Sequence, residues 1–369
     1  MAMAPLATTA QSNAVPSPIG GLNTRDSVDL LPETDAIRLD NFFPARSHVQ
    51  VRNGYDDHVT GLPSSVESLM VYNSGTASTM FAASGTAVYN VTSAGSVGSA
   101  VITSLTNARF QSVNMTTSGG SFLFICNGAD APRHWNGSAW ATPTLGSVTA
   151  ANIINVEVYK ERLFFVLKDS LTYGYLPVNA VAGTVASVNL GSVFSKGGKI
   201  MAIATWTRDG GAGPDDNILF FTDQGEIAMY SGTDPSDATK WGLVGVYTVG
   251  RPIGHRCMLK VGSDCYLVTE NGLLPMTQVL GTGEAAPNVA LSDKISSSYN
   301  SSVVEFKGTF GWQGVVYPKG GYAAVNAPAS TVGDFIQYII NLETGAWSRF
   351  TNQDAYVWAV FNSDLYFGG

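Results

Sequence analysis

Three carboxylates stand where a carbohydrate-cleaving β-protein would carry its catalytic pair. Asp223, Glu226 and Glu270 each lie in a short turn next to an apolar run that is typical of a β-strand. Two carboxylates that flank a glycosidic bond can serve as acid and as base or nucleophile. Acidic side chains in such turns more often accept hydrogen bonds from the turn itself. We therefore expect turn caps and no enzyme activity.

Metal and phosphate chemistry is also not expected. The chain has 4 histidines, none in an HExxH or other close ligand spacing: His48, His58, His134 and His255. No GxSxG elbow occurs. Residues 191–199 (GSVFSKGGK) imitate a phosphate-binding loop, but the glycine spacing is wrong and Ile200 follows the lysine. The sequence thus predicts no cofactor and no metal site.

An acidic loop and three cysteines are the remaining candidates for metal binding or redox chemistry. Asp209, Asp215 and Asp216 could bind Ca²⁺, but they lack the EF-hand spacing, and we expect a solvated loop. The 3 cysteines are too scattered for a disulfide framework: Cys126, Cys257 and Cys265. Buried thiols in a reducing compartment are expected instead.

The composition favours an all-β chain. Charged residues make up 13% of the sequence, about half of the usual share. The 40 glycines and 11% aromatic residues are typical of short strands joined by tight turns. The net charge of −8 is the opposite of what a protein needs to grip nucleic acid by its phosphates. No apolar run reaches the length of a membrane span.

A short apolar strand bounded by Gly, Asn or Asp turns recurs along the chain. Its seven copies begin near residues 80, 122, 163, 218, 265, 322 and 365. Another strand precedes each copy, and a further strand, often opened by Trp140, Trp241 or Trp347, follows several of them. Such spacing is inside or near the range of propeller blades. The sequence predicts a β-propeller of about seven four-stranded blades, with stacked β-sandwiches as the alternative.

The predicted organisation has three parts. Residues 1–19 contain no charged side chain and are expected to form a flexible arm. Residues 20–60 form an N-terminal docking segment, and residues 61–369 form the propeller body. Insertions are expected near residues 183–199, 208–216 and 279–308, the last with a weak helical pattern over residues 288–296.

The docking segment carries a recognisable pattern. Residues 20–55 contain the runs GGLNTRDS, LDNFFP and VRNGY in this order. This order resembles the start of the tail nozzle proteins of short-tailed phages, also called tail tubular protein B. Nine residues of the segment are candidate assembly contacts: Asn23, Arg25, Asp26, Arg38, Asp40, Asn41, Phe42, Phe43 and Arg52. The pairs Arg25–Asp26 and Arg38–Asp40 could join subunits or lie within one chain.

The resemblance implies a structural virion protein in the phage tail, assembled in the host cytoplasm. It implies a hexameric ring below the portal and adaptor proteins, with tail fibres or spikes as further neighbours. The ring would hold and then conduct genomic DNA without binding it tightly. The alternative is a glycan-binding or glycan-cleaving propeller that acts as a receptor-binding module.

The last copy of the repeat raises a question of ring closure. After residue 356 the chain supplies only two strands. An incomplete blade exposes strand edges, so either the chain continues past Gly369 or upstream residues complete the blade. Residues 48–52 alternate Val with polar residues, and Asn53-Gly54 is a strong turn signal. We therefore predict that residues 47–53 pair in the sheet containing residues 356–368.

Overall fold

The computed structural model describes residues 14–209, 214–282 and 290–369, and the side chains of residues 208–215 and 280–289 lie outside the description. The predicted arm therefore lies mostly outside the described residues. Seven antiparallel sheets follow one another along the chain, named sheets 1 to 7 below. The chain is all-β, as the composition predicts.

Sheets 1 to 3 occupy the first half of the body. Sheet 1 comprises Val66–Asn73, Ser78–Ser84 and Ala87–Asn90. Sheet 2 comprises Gln111–Thr117, Gly120–Cys126, Arg133–Trp135 and Trp140–Ala141. Sheet 3 comprises Ile153–Tyr159, Arg162–Leu167, Thr172–Tyr175 and Ala186–Asn189. In each sheet, strands that follow one another in sequence are neighbours.

Sheets 4 to 7 continue the same meander. Sheet 4 comprises Ile200–Asp209, Pro214–Thr222, Glu226–Gly232 and Trp241–Thr248. Sheet 5 comprises Met258–Val261, Asp264–Thr269 and Gly272–Pro275. Sheet 6 comprises Gln313–Tyr317, Tyr322–Pro328, Phe335–Asn341 and Trp347–Phe350, with Gly21–Leu22 and Asp35–Ala36 added at its edge. Sheet 7 comprises Val357–Phe361 and Asp364–Gly368.

The remaining elements are short. Two helices, Met276–Thr282 and Ser296–Phe306, lie between sheets 5 and 6. Single 3₁₀ turns occur at Val28–Leu30, Ala150–Asn152, Asp293–Ile295 and Pro318–Gly320. Small two-stranded pairings join Phe42–Pro44 to Val49–Val51, Val59–Thr60 to Gly95–Ser96, and Leu145–Gly146 to Gly183–Thr184. No helix among the described residues is long and apolar enough to cross a membrane.

The sheets close into a ring. The first strand of each sheet contacts the next sheet, and Val357–Phe361 of sheet 7 contacts both sheet 6 and sheet 1. The amide of Val66 in sheet 1 donates a hydrogen bond to the carbonyl oxygen of Gly369, 3.1 Å away. Consecutive sheets arranged in this way, with their first strands innermost, form a β-propeller.

The second strands carry the core because neighbouring sheets cover both of their faces. Phe124 of sheet 2 meets Phe165 of sheet 3 with ring centroids 5.5 Å apart, and Tyr173 of sheet 3 stacks on Phe220 of sheet 4 at 4.4 Å. All four rings are fully buried. Burial on both faces suppresses the polar–apolar alternation of a one-sided strand. All seven predicted apolar copies are second strands of their sheets.

The predicted count of seven four-stranded blades is not confirmed. Sheets 1 and 5 have three strands and sheet 7 has two. The predicted completion of the last blade is wrong, because Val49–Val51 pairs with Phe42–Pro44 and not with sheet 7. Side-chain packing covers sheet 7 instead. Tyr55 packs edge-on against Phe367 and His58 against Tyr366, each with ring centroids 4.9 Å apart.

The predicted insertions need correction as well. Residues 183–199 are not a simple insertion, because Ala186–Asn189 is the fourth strand of sheet 3. The loop predicted over residues 208–216 is shorter, since strand pairing extends to Asp209 and Pro214, and residues 210–213 lie outside the described part. The helix expected near residues 288–296 begins later, at Ser296.

Candidate interaction surfaces

The docking segment begins by adding two short parallel strands to the outer edge of sheet 6. Gly21 pairs with Trp347 on one side and with Asp35 on the other. Its φ is +85°, and a Cβ at this position would lie 2.5 Å from the carbonyl oxygen of Trp347. Only glycine combines this backbone conformation with so close an approach.

Asn23 organises the turn that follows. Its side chain is 1% exposed, and its Nδ2 donates to carboxylate oxygens of Asp26 and Asp35, each at 2.9 Å. Its Oδ1 accepts from the backbone amides of Arg25 (3.2 Å) and Asp26 (3.1 Å). An Asn that bonds its own following backbone in this way fixes a turn. Asn23 therefore acts within its own chain.

Charged pairs bind this turn to the segment before helix Ser296–Phe306. Arg25 donates to Asp26 at 2.8 Å and to Asp293 at 2.5 Å. Hydrogen bonds from Arg25, and then from Asn23, lower the pKa of Asp26 to about 2. Lys294 donates to the carbonyl oxygen of Gly20 at 2.7 Å and is paired with Asp35 at 2.8 Å.

The pair Arg38–Asp40 lies on a bridge to sheet 6. Arg38 donates to Asp40 at 2.6 Å, and Arg349 donates to the other oxygen of the same carboxylate at 2.8 Å. The Arg38 side chain is 80% exposed, whereas that of Asp40 is 14% exposed. Asp40 is thus engaged with its own sheet, and Arg38 faces solvent.

Asn41 and Arg52 make the last set of docking contacts. Asn41 adopts a left-handed conformation with φ +61°, and its Oδ1 accepts from Arg52 Nε at 2.8 Å and from the Thr351 amide at 3.0 Å. Phe43 packs towards Tyr322 with ring centroids 5.9 Å apart. Whether any of the nine candidate residues contacts a second subunit stays a prediction.

The segment exposes apolar side chains that the sequence analysis did not single out. Of the six residues named next, Phe42 alone is among the nine candidate assembly contacts. The N-terminal apolar surface, as we call it, consists of Val28, Leu30, Ile37, Phe42, Val51 and Tyr55, which are 41% to 75% exposed. The sequence does contain a signal for these residues, because apolar residues recur through the segment, mostly outside any predicted strand.

A second exposed apolar group lies on the outer strand of sheet 4. Within Trp241–Thr248, the side chains of Leu243, Val244 and Val246 are 46%, 48% and 38% exposed. Among the described residues, this strand pairs only with Glu226–Gly232, and its other edge has no partner strand there. It contains no charged residue and no proline, the usual protections of an edge strand.

The side chain of Arg256 reaches across the ring of sheets. Arg256, which leads into sheet 5, donates from Nη2 to the carbonyl oxygens of Glu67 (3.0 Å) and Phe110 (2.9 Å) and to the hydroxyl of Ser68 (2.7 Å). Glu67 and Ser68 belong to sheet 1 and Phe110 directly precedes sheet 2, and neither sheet is a neighbour of sheet 5 in the ring. The guanidinium also lies 5.4 Å from the ring centroid of Phe310.

An ion pair and a cation–ring contact surround the guanidinium of Arg256. Arg109 pairs with Glu67 at 3.0 Å and lies over Phe310 at 4.3 Å. Burial lowers the pKa of Arg256 to about 10, so the guanidinium is still protonated at neutral pH. Arg256 therefore joins sheets that are not neighbours in the ring.

The three candidate catalytic carboxylates are each hydrogen-bonded to a neighbouring segment. Glu226 is 3% exposed and accepts from the Ser195 hydroxyl (2.6 Å) and the Lys196 amide (2.7 Å). Burial opposes its ionisation, but these hydrogen bonds outweigh burial and lower its pKa. Asp223 accepts from the Lys199 amide at 3.0 Å. Both carboxylates thus bind the loop that imitates a phosphate site, and they occupy its amides.

Glu270 is separate from this pair and bonds to Lys307 at 3.1 Å. The absence of enzyme activity stays a prediction. Asp216 pairs with Lys160 and accepts from Thr207, while the side chains of Asp209 and Asp215 lie outside the description.

Histidines and cysteines take structural positions. His58 is bonded to the carbonyl oxygen of Val91 at 2.9 Å, and His255 to that of Met201 at 2.6 Å. Within the described ranges, no group of three metal-binding side chains converges. All 3 cysteines are buried free thiols, as predicted, and burial raises the pKa of each.

No family model and no curated protein matches the sequence. Among solved structures, the chain is similar to YCF48 bound to a D1 peptide, with a TM-score of 0.50 and 8% identity over 91% of this chain and 96% of that one. The WD40 domain of Sif2 gives a TM-score of 0.41 and 11% identity over 84% and 78% of the two chains. BBS1N in complex with ARL6DN gives 0.40 and 13% over 62% and 70%. The likeness to the YCF48 structure agrees with the β-propeller fold.

Proposed function

We propose that the protein is a structural virion component, the tail nozzle of a short-tailed phage. In this proposal, six copies form a ring below the portal and adaptor proteins, next to tail fibres or spikes. The ring retains the genome and conducts it during ejection. The protein is assembled in the host cytoplasm and resides in the virion tail.

The observation that carries the proposal is that residues of the motif in residues 20–55 make the contacts that hold this segment against the body. Four residues of that pattern contact the body, namely Gly21, Arg25, Asn41 and Arg52, and Asn23 fixes the turn between them. A motif whose residues interlock in this way specifies a particular docked segment rather than a chance string. This strengthens the resemblance on which the proposal rests.

Two further features are consistent with a conduit built between subunits. Arg256 joins sheets that are not neighbours within the single propeller, and in the proposed assembly DNA passes along the axis of a ring of copies. The net charge of −8 favours walls that do not retain phosphates. We also propose that sheet 7 serves as a reduced seventh blade, covered by Tyr55 and His58 instead of by further strands.

The experiment is negative-stain microscopy of the purified full-length protein, combined with a duplex gel shift at low salt. We expect six-membered rings with an open lumen and no tight DNA binding. Persistent monomers that bind an array of host glycans would overturn the proposal and favour a receptor-binding module. Glycan cleavage lost on Asp223→Ala, Glu226→Ala or Glu270→Ala would do the same.

A further inference from the structure

The Asn53-Gly54 pair, a strong turn signal in the sequence, lies outside every turn and strand of the structure. It follows Val49–Val51 in an irregular stretch, and both of its residues are exposed. The Asn53 side chain and the Gly54 amide have no hydrogen-bond partner among the described residues. A Cβ at Gly54 would meet no atom within 4 Å, so the space around this peptide group is open. The pair can therefore change its local conformation at little cost.

An asparagine that precedes glycine can react with its own backbone. The amide nitrogen of the glycine, once it has lost its proton to solvent, attacks the side-chain carbon Cγ. A C–N bond forms, the bond between Cγ and Nδ2 breaks, and Nδ2 takes up a proton and leaves as ammonia. Water then opens either carbonyl of the resulting cyclic imide, which gives aspartate or isoaspartate. Glycine favours the attack because it has no Cβ to obstruct it.

The fold restrains the other Asn-Gly pairs. The chain contains four such pairs, which begin at residues 53, 127, 136 and 271. At Asn127 the attacking group is already engaged, because the amide of Gly128 donates to the carbonyl oxygen of Ile153 at 3.0 Å. Gly272 is buried and pairs with Thr269 in sheet 5. At both sites a local opening of the structure must precede the reaction.

Asn136 is the best comparison because it is exposed, like Asn53. Its Oδ1 accepts from the amides of Ser138 (3.0 Å) and Ala139 (2.8 Å) and from the Ser138 hydroxyl (2.9 Å). These bonds hold the side chain in one orientation, whereas the Asn53 side chain can rotate towards the Gly54 nitrogen. Asn53 therefore differs from Asn136 in freedom and not in exposure.

Arg52 places a positive charge on the peptide group that must react. Its Nη1 donates to the carbonyl oxygen of Asn53 at 3.2 Å, while its Nε is held by Asn41 at 2.8 Å. That carbonyl and the Gly54 amide belong to one peptide group, so the charge left by deprotonation spreads onto the oxygen beside the guanidinium. A neighbouring opposite charge favours the charged form. We propose that Asn53 is a site of spontaneous deamidation and that Arg52 promotes the reaction.

The same contact favours isoaspartate as the product. When water attacks the backbone carbonyl of the imide, the carboxylate that is freed contains the oxygen that Arg52 already contacts. Isoaspartate adds a methylene group to the main chain and a negative charge near Asp56 and Asp57. It lies between Arg52 and Tyr55, and Tyr55 covers Phe367 of sheet 7. The modification should therefore loosen the cover of sheet 7, whatever the role of the protein.

The test follows deamidation of the purified full-length protein in alkaline buffer made with water that carries heavy oxygen. Mass spectrometry of its peptides locates each product, because opening of the imide takes an oxygen atom from the solvent. We expect Asn53 to react faster than Asn136 by about tenfold or more, since the bonds that hold Asn136 must open first. Asn53→Gln, the matched control, should leave its own peptide unlabelled.

Unfolding in urea separates the fold from the local sequence. Without the fold, the four pairs should react at similar rates. Equal rates at Asn53 and Asn136 in the folded protein would overturn the inference. An excess at Asn53 that persists in urea would do the same, because its cause would then be the sequence and not the structure.

Arg52→Gln tests the role of the charge. Deamidation of Asn53 should slow by about threefold or more, and the share of isoaspartate should fall. Loss of the docking contacts alone would loosen the segment and speed the reaction, so the two causes have opposite signs. Asn41→Gly keeps the charge and permits the left-handed backbone while removing a partner of Arg52, and it should not slow the reaction. An unchanged or faster rate in Arg52→Gln would refute the role of Arg52.

Discussion

Two outer strands of the propeller, both opened by tryptophan, have opposite environments. Trp347–Phe350 of sheet 6 is buried at three of its four positions. Trp241–Thr248 of sheet 4 has no buried position. The first is covered by Gly21 and by Asp40, which bridges to Arg349, whereas the second faces solvent. The N-terminal segment is one source of this difference, and the packing of Trp347 and Phe350 in hydrophobic clusters is another.

This comparison shows what an edge strand requires. Covering the edge of sheet 6 takes a glycine at one close contact, a buried Asn that fixes the turn and several ion pairs. Sheet 4 has no equivalent segment within the described parts of the chain. Within the described residues, the apolar edge of sheet 4 therefore lacks the cover that the edge of sheet 6 has.

The largest expected effect concerns the two tryptophans. Trp347 is 1% exposed and its Nε1 donates to the carbonyl oxygen of Leu291 at 3.0 Å. Trp347→Ala should lower the free energy of unfolding by about 4 kcal/mol. Trp241 is only partly buried, although it stacks on Tyr230 at 5.6 Å, so Trp241→Ala should cost about half as much. Urea unfolding measures both, and equal losses would contradict the comparison.

A glycine pair tests the covering contact itself. Gly21 and Gly75 have nearly the same φ, +85° and +83°, but only Gly21 has atoms near its absent Cβ. Gly75→Ala should cost about 1 kcal/mol for the left-handed backbone alone. Gly21→Ala should cost about 3 kcal/mol, because the new methyl group meets the Trp347 carbonyl. Thermal unfolding that gives the same loss for both would show that the edge contact is loose.

A pH titration tests the ion pair next to that contact. The pKa of Asp26 in the folded protein is lowered from 3.8 to about 2 by its hydrogen bonds with Arg25 and Asn23. Its stabilising effect is therefore fully present above pH ~4 and is lost as the pH falls from ~4 to ~2. The difference in unfolding midpoint between wild type and Asp26→Asn should shrink over this interval. Arg25→Gln should remove most of the trend, and an unchanged trend would exclude Arg25 as its cause.

The smallest effect is expected at the uncovered edge. Val244 is 48% exposed and has no partner strand on its outer side among the described residues, so Val244→Lys should change the unfolding free energy of the dilute protein by less than about 0.5 kcal/mol. Ser348→Lys, at a fully buried position of the covered strand, is the matched contrast and should be strongly destabilising. A large loss for Val244→Lys would indicate that the edge is covered within the single chain.

The repeat could be predicted because its signals are local. The apolar second strands, the turns beside them and the tryptophans at residues 140, 241 and 347 all stand where the sequence pattern places them. Doubly buried strands carry this signature without knowledge of their neighbours. The pairing of Val49–Val51 could not be predicted, because Phe42–Pro44 and sheet 7 are equally plausible partners for a short alternating strand.

The sequence singled out the candidate contact residues but did not predict which residues they bind. The motif drew attention to Asn23, Arg25 and Asn41, yet their partners are Asp35, Asp293 and Thr351, which lie 12 to 310 positions away. A sequence gives no distance between such residues before the fold is known. The N-terminal apolar surface was missed for the complementary reason, since exposure of an apolar residue depends on which segments cover it.

The bridge made by Arg256 has a consequence for how the molecule unfolds. In proteins built from repeats, each unit contacts only its neighbours, so units can open one at a time from an end. Arg256 links sheet 5 to sheets 1 and 2 with hydrogen bonds of 2.7 to 3.0 Å, across the ring. Separating these sheets would leave the buried guanidinium, or the oxygens that accept its hydrogen bonds, without partners. The ring should therefore unfold as one cooperative unit, and a partly opened intermediate should accumulate only when this side chain is removed.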